Sequence, residues 1–140
     1  MKGDFTQLIR RLSGMGRRLE GALEVEIAQV AREALERARE RAPVGAGPRR
    51  QPRLKDSFSL EVKGLQAAVQ VSNPHGAYVE FGTGRRGAQT GRAPGGYDGS
   101  WPGMAAQPYL FPVAMEMRGE FPRRMGRAIR EGLREGRIGR

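Results

Sequence analysis

The sequence predicts an α+β fold with a long N-terminal helix, a small antiparallel sheet of three or more strands, a long glycine-rich loop and a C-terminal helix. Three observations carry that expectation. Apolar residues recur at helical spacing over two long stretches, one at each end of the chain. Between them, the segment from Ser57 to Phe81 alternates apolar and polar residues, and the stretch after it, 82–107, holds eight glycines with almost no apolar periodicity. At 140 residues the chain has the size of a single domain, 1–140.

The first helix is expected over 6–42, because Leu12, Leu19, Leu23, Ile27, Val30, Ala34 and Ala38 follow three- or four-residue steps. Gly14, Gly16 and Gly21 weaken its start, each by up to roughly 1 kcal/mol relative to alanine, so the firm part begins near Leu19. Pro43 stops it by Ala42, since a residue that precedes proline is disfavoured in the helical conformation. The other face, with Glu24, Glu26, Arg32, Glu33, Glu36, Arg37, Arg39 and Glu40, mixes signs at spacings that permit pairs within the helix and reads as a solvated face. Residues 43–56 combine three prolines, two glycines and four cations, which predicts a basic loop without regular structure.

Antiparallel strands are expected over 57–81. Phe58, Leu60 and Val62 alternate with Ser57, Ser59, Glu61 and Lys63, and after Gly64-Leu65-Gln66 the alternation resumes in Ala67, Val69 and Val71, which makes a hairpin. Asn73-Pro74 ends it, and Ala77-Tyr78-Val79-Glu80-Phe81 reads as a third strand. The 82–107 stretch is a glycine-rich arm, far longer than the roughly four to six residues usual between elements. Over 109–135, Leu110, Val113, Met117, Phe121, Met125, Ile129 and Leu133 mark the second helix. Pro112 is tolerated in a first turn, whereas Pro122 lies inside the pattern and predicts a kink or a split.

Composition removes several function classes. Cysteine is absent, which excludes disulfides, thiolate nucleophiles and cysteine metal sites. No apolar run is long enough to span a membrane and the first residues lack the order of a signal peptide, so a soluble cytoplasmic product without membrane contact is expected. The net charge of +10 comes almost entirely from arginine, 22 residues against three lysines. Arginine makes bidentate contacts with phosphates and carboxylates alike, so DNA or an acidic protein surface is the implied partner, although a GC-rich coding sequence also raises arginine over lysine. The excess sits mainly in the basic loop and the C-terminal tail.

Individual motifs point away from catalysis. Gly82-Thr83-Gly84-Arg85-Arg86-Gly87 has the spacing of a dinucleotide-binding loop, but the Gly91-Arg92-Ala93-Pro94-Gly95-Gly96 run after it does not continue as the helix that such a loop requires. His75 stands alone in a turn, no serine or threonine has an evident base partner, and the carboxylates are scattered. No catalytic, metal or cofactor residue is therefore assigned. Arg49, Arg50 and Arg53 in the first loop and Arg85, Arg86 and Arg92 in the arm are candidates to face DNA or an acidic connector surface, against the plainer reading of solvated loops.

Four segments, taken together, resemble a known family: Ala42-Pro43-Val44, Leu54-Lys55-Asp56-Ser57, Asn73-Pro74 through Tyr78-Val79-Glu80-Phe81-Gly82-Thr83, and Met104-Ala105-Ala106-Gln107-Pro108-Tyr109-Leu110-Phe111-Pro112-Val113-Ala114. Their order and spacing are similar to the tail-component family of lambda-like siphophages, Hong Kong 97 type. The resemblance covers about half of the residues, and the sequence departs from the family's pattern by a Pro48–Pro52 insertion and by the length of the arm. It implies a non-enzymatic virion protein at the head-tail junction, a neck or tail-completion subunit in a homo-oligomeric ring, sixfold by tail symmetry. Head-closure or connector and tail-terminator or tail-tube proteins would adjoin it, with non-specific contact to genomic DNA in the lumen. Under that reading Tyr78, Glu80, Phe81, Gly82, Thr83, Met104, Gln107, Pro108 and Tyr109 are subunit-interface residues, and the arm orders on a neighbouring copy. A tail terminator, a head-closure subunit and a free basic nucleic-acid-binding protein are the alternatives.

Overall fold

The computed structural model describes residues 2–44, 53–88 and 99–138. Helix α1 runs from Lys2 to Arg41, 40 residues or about 60 Å of helix. It starts earlier than the glycines suggest: Gly14, Gly16 and Gly21 keep helical geometry with open space around each, so they interrupt neither the hydrogen-bond ladder nor any packing. After a single 3-10 turn at Leu54–Ser57, inside the segment expected to lack regular structure, strands β1 (Phe58–Lys63) and β2 (Gln66–Val71) form the anticipated hairpin. Phe58 pairs with Val71, Leu60 with Val69 and Val62 with Ala67, which puts the apolar set on one face.

The sheet stops at two strands. Ala77–Phe81, expected as a third strand, belongs instead to a short helix, α2 (Gly76–Phe81), and the glycine-rich stretch opens with a second one, α3 (Gly84–Ala88). Five alternating residues do not separate a strand from one and a half helical turns. Here Gly76 and Glu80 face inward with Val79 partly covered, while Ala77 and Tyr78 face water, which is helical and not two-residue periodicity. Helix α4 (Phe111–Ile138) passes Pro122 without dividing. Expectation and structure thus differ at the third strand, at α3 and at the split.

Helices α1 and α4 lie antiparallel: Arg41 meets Glu116, Arg37 meets Glu120, Arg124 meets Glu33 and Glu26, and Gly132 lies against Leu19 and Ala22. Val30, Leu35 and Ala38 of α1, together with Ala42 just beyond it, form the core with Phe58, Tyr109, Val113 and Met117. Leu60, Val69 and Val71 cover it from the hairpin side. Burial of these apolar groups is the main favourable contribution to the fold.

Candidate functional site

The residues that carry the family resemblance converge at one end of the molecule. Helix α4 begins with backbone N–H groups that have no partner in their own helix. The carboxylate of Glu80, from α2, fills that need: Tyr109 and Leu110 donate to Oε2 at 2.8 and 2.9 Å, and Phe111 donates to Oε1 at 2.9 Å. Glu80 is buried, so its negative charge meets the positive end of α4 in a poorly solvated place. Tyr109, only 1% exposed, packs edge-on against Phe58 with ring centroids 5.6 Å apart, and its hydroxyl donates to the Gly76 carbonyl at 3.2 Å. Burial first, then the nearby Glu80 charge, pushes its phenol up to about 12.

Two backbone strands beside this clasp are stitched together. Thr83 donates its N–H to the Met104 carbonyl at 2.9 Å, and Met104 returns an N–H to Thr83 Oγ1 at 2.9 Å. The Gln107 N–H reaches the Val79 carbonyl at 2.8 Å, and the Arg85 and Arg86 amides reach the carbonyls of Trp101 and Pro102. The closest approach needs glycine: Gly103 has φ +67°, and a Cβ there would stand 1.8 Å from the Thr83 oxygen. Gly82, at φ +76°, would likewise drive a Cβ to 2.6 Å from the Met104 oxygen.

Of the nine residues predicted for a subunit interface, Glu80, Gly82 and Tyr109 are therefore buried within the chain, Thr83 is half-buried, and the backbones of Met104 and Gln107 complete the same clasp. Phe81 and Pro108 are half-buried beside them. Tyr78 is exposed, next to the His75 ring. Of the predicted anion-facing arginines, Arg53 is exposed before the 3-10 turn, and Arg85 and Arg86 are exposed on α3, with Arg86 also donating to the Gly103 carbonyl. Arg49, Arg50 and Arg92 lie outside the described residues.

Two features escaped the sequence reading. The mixed-sign face of α1 is not simply solvated: Arg124 of α4, 15% exposed, bridges Glu26 and Glu33, and Arg37 and Arg41 hold Glu120 and Glu116 at 3.0 and 2.6 Å. Only Arg37–Glu33 and Arg39–Glu36 are pairs within α1. The Arg124 hydrogen bond holds the Glu33 carboxyl below its usual range, and Arg41 does the same for Glu116. The Glu120 and Glu33 partners raise the Arg37 and Arg124 guanidinium groups in turn.

The second is apolar. Phe5, Leu8, Ile9 and Leu12 are 72, 51, 60 and 58% exposed on the first turns of α1. Phe5, Leu8, Leu12, Met15 and Leu19 follow a three- and four-residue rhythm, the signal that could have revealed this seam. A second apolar surface is an open groove of about 620 Å³ between α1, the hairpin and α4, lined by Ile27, Ala31, Leu65, Ala67, Ala68 and Phe121 among others.

Among the described residues no group of three or more histidine, cysteine or acidic side chains is placed to hold a metal ion, and no helix is long and apolar enough to cross a membrane. A family model described as "Bacteriophage HK97-gp10, putative tail-component" matches residues 6–82, more than half of the chain. No curated protein and no solved structure matches significantly.

Proposed function

The chain belongs to the HK97-gp10-like family of bacteriophage tail components, and from that premise we propose that it is a non-enzymatic neck or tail-completion subunit, one member of a ring that joins tail to head. A tail component is a structural virion protein; its place at the junction, its sixfold ring and its head-closure and tail-tube neighbours are the proposed part.

One observation supports the ring above the others: the apolar seam of α1 runs on past its partner. Leu19 and Ala22 pack against Gly132. Six residues later α4 reaches Ile138, which equal helical rise places opposite the Gly14–Gly16 stretch. Phe5, Leu8 and Ile9 are left beyond it, with no helix to cover them. Exposed apolar surface of this kind marks a protein contact.

The occupant that fits is a second copy. The protruding seam and the open groove of about 620 Å³ are different surfaces of one chain, both apolar. Insertion of the first into the second of a neighbour is a head-to-tail contact, and such contacts repeated by rotation close a ring. The groove also lies beside Glu24 and Glu61, whereas the protruding turns carry Arg10 and Arg11, so the charges agree. The clasp then acts from behind, fixing the domain that bears both surfaces.

The test is the mass of the protein in solution by light scattering. Wild type is expected to form a closed oligomer at high concentration, while Leu8→Glu with Leu12→Glu, and separately Ala68→Trp in the groove, are expected to give monomers with unchanged circular dichroism. Wild type that stays monomeric at every concentration, or an oligomer indifferent to both changes, overturns the reading.

A further inference from the structure

We propose that the exposed arginines of α4, Arg123, Arg127, Arg130 and Arg134, form a binding surface for the phosphate backbone of duplex DNA. These residues are neither on the seam nor in the loops whose arginines the sequence singled out. Their spacing of four, three and four residues sets them in one row along the helix, spanning about 16 Å.

The row is unneutralised. None of the four forms an ion pair among the described residues, whereas Arg37, Arg41 and Arg124 are all paired between the helices. Arg123 and Arg127 border a groove of about 390 Å³ with Glu26 and Glu120, but those carboxylates are already held by Arg124 and Arg37. Glu131 is the one acidic residue set between Arg127 and Arg134, so the row keeps a clear positive excess. At the same end of the helix pair, Arg17 and Arg18 are exposed beside Leu19, which packs on Gly132.

The chemistry of the row favours a nucleic-acid backbone over a protein. Protein contacts are anchored by buried aromatic or aliphatic side chains. Here the residues among the arginines are Gly126 and Glu131, with no apolar anchor. Guanidinium groups on a rigid helix match a regular line of phosphates, and they neutralise a backbone without reading its sequence. In a ring of copies the row would recur at each subunit, so weak contacts would add along the duplex.

The experiment measures binding of the full chain to a fluorescent duplex of random sequence over a salt series. Wild type is expected to lose affinity linearly with the logarithm of salt concentration. Changing all four arginines to glutamine is expected to weaken binding on the order of tenfold or more and to cut the slope by about 3, near 0.9 per lost phosphate contact. The four lysine replacements are expected to restore most of that slope, and Arg85→Gln with Arg86→Gln to leave it nearly intact. Four glutamines that bind like wild type, or a slope that follows Arg85 and Arg86 instead, overturn the assignment. So does polyglutamate that competes better than unlabelled duplex at equal charge, which would point to an acidic protein. Solution mass in the same buffers separates this outcome from the ring: assembly without DNA binding removes the row's role alone.

Discussion

The clasp around Glu80 and the first turns of α1 stand at opposite extremes of internal satisfaction. At the clasp one carboxylate takes three backbone donors, a tyrosine is 1% exposed, and Gly103 leaves no room for a methyl group. Along Phe5, Leu8 and Ile9 an equally regular helix holds its apolar side chains in water. The clasp carries the recognisable motif and builds the domain; the start of α1 carries only a rhythm and is left for a partner. In this chain a strong motif marks what the fold needs, and an unsatisfied pattern marks what assembly needs.

That contrast breaks or sharpens with mutation. The largest effect is expected from Glu80→Ala, which strips three donors of their buried acceptor and costs about 3 kcal/mol. In thermal unfolding this lowers Tm by roughly 6–12 °C; a drop within a degree or two would show that water replaces the carboxylate and that the clasp is not a keystone.

Next comes Arg124→Met, expected to cost about 1–2 kcal/mol because it leaves Glu26 and Glu33 facing each other half-buried. The same pairs set the acid response. The Glu33 and Glu116 carboxyls are held below 4.5, so their contribution is present above that pH and fades as pH falls through their folded values. Tm should therefore be flat above about pH 4.5 and decline below it, with a shallower decline in Arg124→Met. A variant whose acid profile overlays wild type would remove the interhelical pairs as its cause. The smallest effect on folding is expected from Leu8→Glu with Leu12→Glu, within about 0.5 kcal/mol, since neither side chain is covered. Should that pair destabilise an isolated monomer as much as Glu80→Ala, the first turns belong to the fold and the contrast fails.

Much of this was legible in the sequence, and the gaps have physical causes. Leu23, Ile27, Val30, Ala34 and Ala38 announce α1, and the alternation from Phe58 to Val71 announces the hairpin in its observed register. The Tyr78–Phe81 segment misleads because aromatic and β-branched residues favour strands, yet here they serve a short helix whose inward positions are Gly76 and Glu80. A hint was present: Asn73 accepts the His75 N–H at 2.8 Å, and an Asn-Pro pair opens helices as well as it closes strands.

The two ends of the glycine-rich stretch were expected to lie close, and Thr83 and Met104 do meet. That Gly103 is the point of contact could not be read, because its closeness to Thr83 exists only in the folded chain. The ion pairs between α1 and α4 were hidden for a similar reason. Glu26 and Arg124 are 98 residues apart, and helical spacing says nothing about partners on another element.

This long separation also bears on how the protein is made. Arg124 reaches back 91 and 98 residues to Glu33 and Glu26, so α1 leaves the ribosome well before its partner helix exists. At about 5–20 residues per second the wait is on the order of 5–20 seconds. During it the nascent chain presents its whole apolar stripe, from Phe5 to Ala38, to chaperones and to other chains under synthesis nearby.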